Sequence, residues 1–233
     1  MPLPAMISHT PDQLVALLSG MLPAFTAKSV RPPGVAAEPF RIWGLDPATA
    51  KPYDLNAYLF RSKDRKADTF DDVAVLFYRD EGKRWKVLRQ RVTTTPGADA
   101  LAKPMRQAGT AIVATGYYRG AWKRGLHHQA YPALVQSRDN AFYGWRDPNK
   151  DGTLDMSGVV YNDLAGINWH GAGKPSSTYV GGWSAGCTVN KEWADHESKM
   201  ALVAKQEAAT GATTLSVGIV DIADFPALAF LLE

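Results

Sequence analysis

Cysteine is almost absent: Cys187 is the only one among 233 residues. A single thiol excludes an intramolecular disulfide, and no Cys/His spacing assembles a zinc site. Excess charge of one sign is lacking too. Lys and Arg number 26 against 23 Asp and Glu, for a net charge of +3, without the concentrated basic stripe that nucleic-acid binders use. No apolar run reaches the roughly 20 residues of a membrane span. No secretory signal is legible: Met1 to Thr10 lacks a basic start, and Leu14 to Leu22 is short and preceded by Asp12. Internal repeats and low-complexity blocks are missing as well.

What is present suits one globular unit, or a core domain with a small appendage. Thr10-Pro11-Asp12-Gln13 has the residues of a helix start: a capping Thr, Pro in the first turn and Gln13 to close a capping box. Leu14, Leu17, Leu18, Met21 and Leu22 follow as an apolar stripe, expected to pack on the main domain or to dock a partner. Arg31-Pro32-Pro33-Gly34 ends this segment, so residues 1–34 read as a helical segment with its linker and 35–233 as the main domain.

From Phe40 the pattern turns to strands. Asp72 to Tyr78 and Arg84 to Arg91 flank Asp80-Glu81-Gly82 as a hairpin. Thr110 to Tyr118, Pro132 to Ser137, Ala141 to Arg146 and Leu215 to Asp221 read as further strands, and Gly158 to Trp169 leads toward His170. Asn190 to Thr210 reads as a helix ended by Gly211, with Trp193, Met200 and Val203 on its buried face. The basic runs Arg61 to Lys66 and Lys83 to Arg91 read as solvated loops and one strand face. The expected class is α+β, mostly β.

Cys187 lies in Trp183-Ser184-Ala185-Gly186-Cys187-Thr188-Val189-Asn190, seventeen residues after His170 in Ile167-Asn168-Trp169-His170-Gly171. A thiol attacks as thiolate, so it needs a neighbour to lower its pKa or take its proton. Gly186 and Ala185 permit a tight turn that presents the sulfur and brings backbone N–H groups near a developing oxyanion. A buried structural thiol is the competing reading.

This pattern resembles the catalytic domain of the L,D-transpeptidases (YkuD-type). Their signature is a His-Gly, a spacer, then Ser/Thr-His-Gly-Cys, a hydrophobic residue and Asn or Arg. His170-Gly171 matches the first part and Ser184-x-Gly186-Cys187 the second. Asn190 stands for the terminal polar residue one place late, the spacer is slightly short, and Ala185 replaces the second His. Thr93-Thr94-Thr95-Pro96-Gly97, Gly109-Thr110-Ala111-Ile112-Val113 and Gly125-Leu126-His127-His128 running into Tyr131 resemble a divergent phage- and cell-wall-associated branch. The resemblance spans about Phe40 to Val220.

It implies a β-rich catalytic fold, with the helix after Cys187, acting on peptidoglycan stem peptides. Cys187 would be the nucleophile, forming a thioester, and His170 the base, with backbone N–H groups near Gly186 and Cys187 as the oxyanion site and Ser184 and Asn190 orienting neighbours. Trp169, Gly171, Trp183, Ala185, Asn190 and His127 would line the substrate site. The resemblance also implies action at the wall or periplasm after synthesis in the cytoplasm and release, with a delivery or immunity partner. A non-catalytic wall-binding or virion component that keeps the fold is the alternative.

Three further patterns remain. Asp147, Asn149, Asp151, Thr153 and Asp155, with a turn at Gly152, follow the front of a calcium loop. Its twelfth position is Gly158 instead of Glu, so a structural calcium and a metal-free turn are both open. His127 and His128 are adjacent, and in regular strand geometry they would face opposite ways. Trp122, Trp145, Trp169 and Trp183 are core or cleft-wall candidates.

Overall fold

The computed structural model describes residues 9–138 and 142–233. Thr10 caps α1 (Pro11–Ala27) through the expected reciprocal box: its hydroxyl accepts from the Gln13 amide at 3.2 Å, and Gln13 Oε1 accepts from the Thr10 amide at 2.8 Å. Leu14, Val15, Leu18 and Phe25 are buried against Phe40, Tyr58, Phe60 and Phe77. The N-terminal segment therefore shares a core with the strand domain.

β1 (Asn56–Arg61), β2 (Asp72–Arg79) and β3 (Trp85–Thr93) form an antiparallel run, the last two joined by the expected hairpin. Both faces of β1 are covered. Ala57 and Leu59 face the barrel interior, while Tyr58 and Phe60 face the α1 side. After α2 (Ala98–Ala102) come β4 (Thr110–Val113), β5 (Gly116–His127), β6 (Tyr131–Gln136), β7 (Phe142–Asp147) and β8 (Tyr161–Leu164). The chain ends with β9 (Trp169–Gly171), β10 (Thr188–Asn190), α3 (Trp193–Thr210) and β11 (Thr214–Asp221), followed by 3-10 turns. Eight strands close a barrel in the order β1-β11-β5-β6-β9-β10-β3-β2, and β4-β7-β8 make a small second sheet. The fold is mostly β, as expected.

Several boundaries differ from the sequence reading. The single strand expected over Thr110 to Tyr118 is split, because β4 pairs with β7 in the small sheet whereas β5 pairs with β11 in the barrel. The strand expected from Ala141 begins at Phe142; Ala141 lies outside the described residues. Asn190 belongs to β10, so the helix starts at Trp193; it ends, as expected, at Gly211 with φ +75°. Its buried face is polar. Asp195, His196, Lys199 and Gln206 are buried beside Val203, while Trp193 and Met200 are only half-buried. The reason is what α3 covers: its side chains bond to backbone and amide groups of β6, β9 and β10. Arg61, read as part of a solvated run, is 1% exposed and donates to Thr94 Oγ1 at 2.9 Å and the Val113 carbonyl at 2.8 Å. Among the described residues no helix is long and apolar enough to cross a membrane.

Candidate active site

β9 and β10 are parallel neighbours, with Thr188 opposite Trp169, Val189 opposite His170 and Asn190 opposite Gly171. Side chains alternate along each strand, and partners in register share a face. Cys187, one residue before β10, thus projects to the same side as His170. Sixteen intervening residues return the chain so that Cys187, just before β10, comes beside the strand that carries His170.

The loop before Cys187 is tightly built. Ser184 is buried; its hydroxyl donates to the Cys187 carbonyl at 2.8 Å and accepts from the Gly186 amide at 3.2 Å. Gly186 has φ +119°, and a Cβ there would stand 2.7 Å from the Ala111 carbonyl oxygen. The Gly97 amide donates to the Ser184 carbonyl at 3.0 Å. The segments Thr93–Gly97 and Gly109–Val113 therefore form the bed of this loop. Of the two N–H groups expected to meet an oxyanion, that of Gly186 is taken by Ser184. The Cys187 N–H has no partner among the described residues.

The Cys187 sulfur accepts from the Asn168 amide and donates to the Gly166 carbonyl, each at 3.4 Å. Burial pushes the thiol up to about 11, only partly offset by the Asn168 N–H, so it rests protonated. His170 is 1% exposed. Its Nδ1 donates to the Gly171 carbonyl at 2.9 Å, and the Tyr131 hydroxyl, 3.1 Å from Nδ1, donates to the same carbonyl at 3.1 Å. This network assigns the proton to Nδ1 and leaves Nε2, which has no hydrogen-bond partner, as the basic lone pair. Burial lowers His170 to about 3, so the ring is neutral. No hydrogen bond joins the ring to the sulfur in the resting structure.

His127 covers His170: their rings are 3.9 Å apart and 19° from parallel. Its Nδ1 lies 3.2 Å from the Asn168 amide nitrogen. His128 and Gln129 have φ of +48° and +58°, which turns the chain out of strand geometry. The opposite-facing expectation for His127 and His128 fails for that reason, and their rings meet at 4.1 Å.

Three residues expected to touch substrate are placed elsewhere. Trp169 is wholly buried, 5.4 Å from Trp122, because its position on β9 points into the barrel. Asn190 is wholly buried, accepting from Lys199 Nζ and donating to Gln90 Oε1, both at 2.9 Å. Gly171 is closed off, since a Cβ there would stand 2.9 Å from the Trp193 ring; its carbonyl serves His170 instead. Trp183 remains 42% exposed over Gly173, and Ala185 is half-buried.

No family model, curated protein or solved structure matches the chain. The chemistry is therefore read from the residues themselves. Among the described residues no three His, Cys, Asp or Glu gather around a metal position. In the calcium-like loop, Asp147 accepts from the amides of Asn149 and Asp155, Asp151 from Thr153, and Asp155 from Ser157. These carboxylates cap their own turns. Tyr131, Asn168, His196 and Lys199 complete the site without having been given roles from sequence. Their signal was faint: Asn168 meets the sulfur through its backbone, Tyr131 lies 39 residues before His170, and His196 and Lys199 lie on α3, 9 and 12 residues after Cys187.

Proposed function

We propose that the chain is a cysteine enzyme acting on peptidoglycan stem peptides through a thioester. One observation supports the chemistry above the others. A buried neutral imidazole, its tautomer held by Nδ1–H donation to Gly171, keeps an unpartnered Nε2 lone pair on the face shared with Cys187. The peptide substrate rests on the resemblance of His170-Gly171 and Ser184-x-Gly186-Cys187 to L,D-transpeptidases.

In this reading the thiol does not ionise in advance. As the sulfur attacks the substrate carbonyl carbon, its proton passes to His170 Nε2. The carbonyl electron pair becomes an oxyanion, which in this reading accepts from the Cys187 N–H. Collapse of that intermediate breaks the C–N bond, and the departing amine takes the proton from His170. Water or a second amine then attacks the thioester carbon and returns the proton to sulfur. Water gives cleavage and an amine gives cross-linking.

Digestion of purified sacculi and isolated muropeptides by wild type and Cys187→Ala, read by mass spectrometry, tests this. New tripeptide products or 3–3 cross-links made only by wild type are expected. An unaltered muropeptide pattern with folded wild type overturns the enzyme reading. The raised thiol pKa and the missing sulfur–imidazole bond favour a second reading, a wall-binding component without catalysis. Cosedimentation with sacculi without any new product would establish it.

A further inference from the structure

A cavity of about 800 Å³ lies away from the thiol. Tyr131, beside His170, begins β6, and Ser137, on the cavity wall, follows its end. Six residue steps along the strand separate them by about 20 Å. The cavity opens at the barrel rim where β1 and β11 begin, a place where barrels commonly hold ligands.

Its walls are fixed from within. Gln206 of α3 accepts from the Leu55 amide at 3.1 Å and donates to the Thr214 carbonyl at 3.1 Å, stapling the helix to both strands. The β5–β11 register slips between Leu215 and Val217, so that Arg119, Gly120 and Ala121 bulge opposite the single Ser216. Gly120 has φ +57°, and its amide donates to Ser216 Oγ at 3.0 Å. Such bulges re-aim a side chain at a barrel rim, and this one lines the cavity with Arg119.

The charges on this wall are uncommitted. Among the described residues, no ion pair or side-chain hydrogen bond engages Arg119, Lys51 or Asp54. Burial raises the Asp54 carboxyl, with Lys51 pulling it back. The hydroxyls of Ser137 and Thr214 also make no hydrogen bond of their own. We infer that this cleft binds a short zwitterionic peptide, its carboxylate on Arg119, its ammonium on Asp54, and its amide groups along the free hydroxyls. A guanidinium fork matches a carboxylate in two parallel hydrogen bonds. The site stands apart from the thiol chemistry and does not depend on it.

Titration of ¹⁵N-labelled protein with alanyl-alanine, its N-acetyl form and its C-terminal amide tests the site. The free dipeptide is expected to shift the amides of Gly120, Gly211 and Thr214. Arg119→Ala, Asp54→Asn and each blocked peptide should weaken binding by about tenfold, the usual cost of losing one charge-assisted hydrogen bond. Cys187→Ala should bind as wild type does, which separates this site from the fate of the enzyme reading. Absence of shifts at millimolar peptide overturns the proposal. So do shifts confined to Gly171 and Gly186, or binding by Arg119→Ala and of the blocked peptides as tight as that of the free dipeptide to wild type.

Discussion

His127 lies face to face with His170, ring centroids 3.9 Å apart. Together with the Gly171 carbonyl, the stack holds the His170 plane and directs Nε2 away from Nδ1's partner. Because the contact is ring on ring, His127→Phe should preserve it and His127→Ala should not. Phe is expected to keep most sacculus-modifying activity and Ala to lose about tenfold, the cost of about 1.4 kcal/mol of positioning. Muropeptide release rates check this. Equal losses in both variants would mean that His127 contributes its nitrogen instead of its face.

Thiol reactivity follows from the raised Cys187 pKa. With the group held up to about 11, the thiolate is scarce at neutral pH. Alkylation by iodoacetamide should be slow at pH 7 and rise about tenfold per pH unit toward that value. The imidazole is neutral and not bonded to the sulfur at rest, so His170→Ala should leave alkylation unchanged while abolishing turnover. A rate plateau near pH 6 to 7 that disappears in His170→Ala would instead reveal a preformed thiolate–imidazolium pair.

The elements with strong local signals were the most legible. The Thr10 to Gln13 box, the Asp72–Thr93 hairpin and the Gly211 stop all carry such signals, and the structure keeps them in place. Non-local facts were hidden. Nothing near Arg61 announces that Thr94 and Val113 will satisfy its guanidinium inside the fold. Nor does the pattern of α3 show a polar buried face, since apolar periodicity assumes an apolar partner surface. A backbone carbonyl as the orienting partner of His170 fits the lack of any acidic candidate in the sequence, but only the structure identifies it as Gly171.

Gly186 is where the loop tolerates least. Its φ of +119° is strained for any L side chain, and an added Cβ would press within 2.7 Å of a backbone oxygen that cannot swing aside. Gly186→Ala should destabilise the protein by about 2–4 kcal/mol and displace Cys187. Urea unfolding reads the first effect. Ala185→Gly, on the neighbouring half-buried position, should change stability by less than about 1 kcal/mol. A Gly186→Ala variant as stable as wild type would show that the bed formed by Ala111 yields.

Acid should weaken the fold, though by less than its buried histidines alone would cause. Burial lowers His127 to about 4 and both His170 and His196 to about 3. Between roughly pH 6.5 and 4 the unfolded chain takes up these protons and the folded protein does not, so stability falls as pH falls. Asp72 and Asp195, each raised to about 6 by burial, act oppositely: the folded protein binds their protons first, which favours folding as pH drops from 6 toward 4. Asp54 leans the same way. Three histidines against two strongly shifted carboxyls leave about one net proton from these five groups, or about 1.4 kcal/mol per pH unit lost between pH 6 and 4, and the buried Lys199, also lowered by burial, acts in the histidines' direction. Urea midpoints at pH 7, 6, 5 and 4 measure the slope. His127→Gln removes one of the three opposing groups and should flatten or reverse it. A wild-type protein that grows more stable down to pH 4 would show that the buried imidazoles are not held neutral, and with them the proposed proton acceptor would fall.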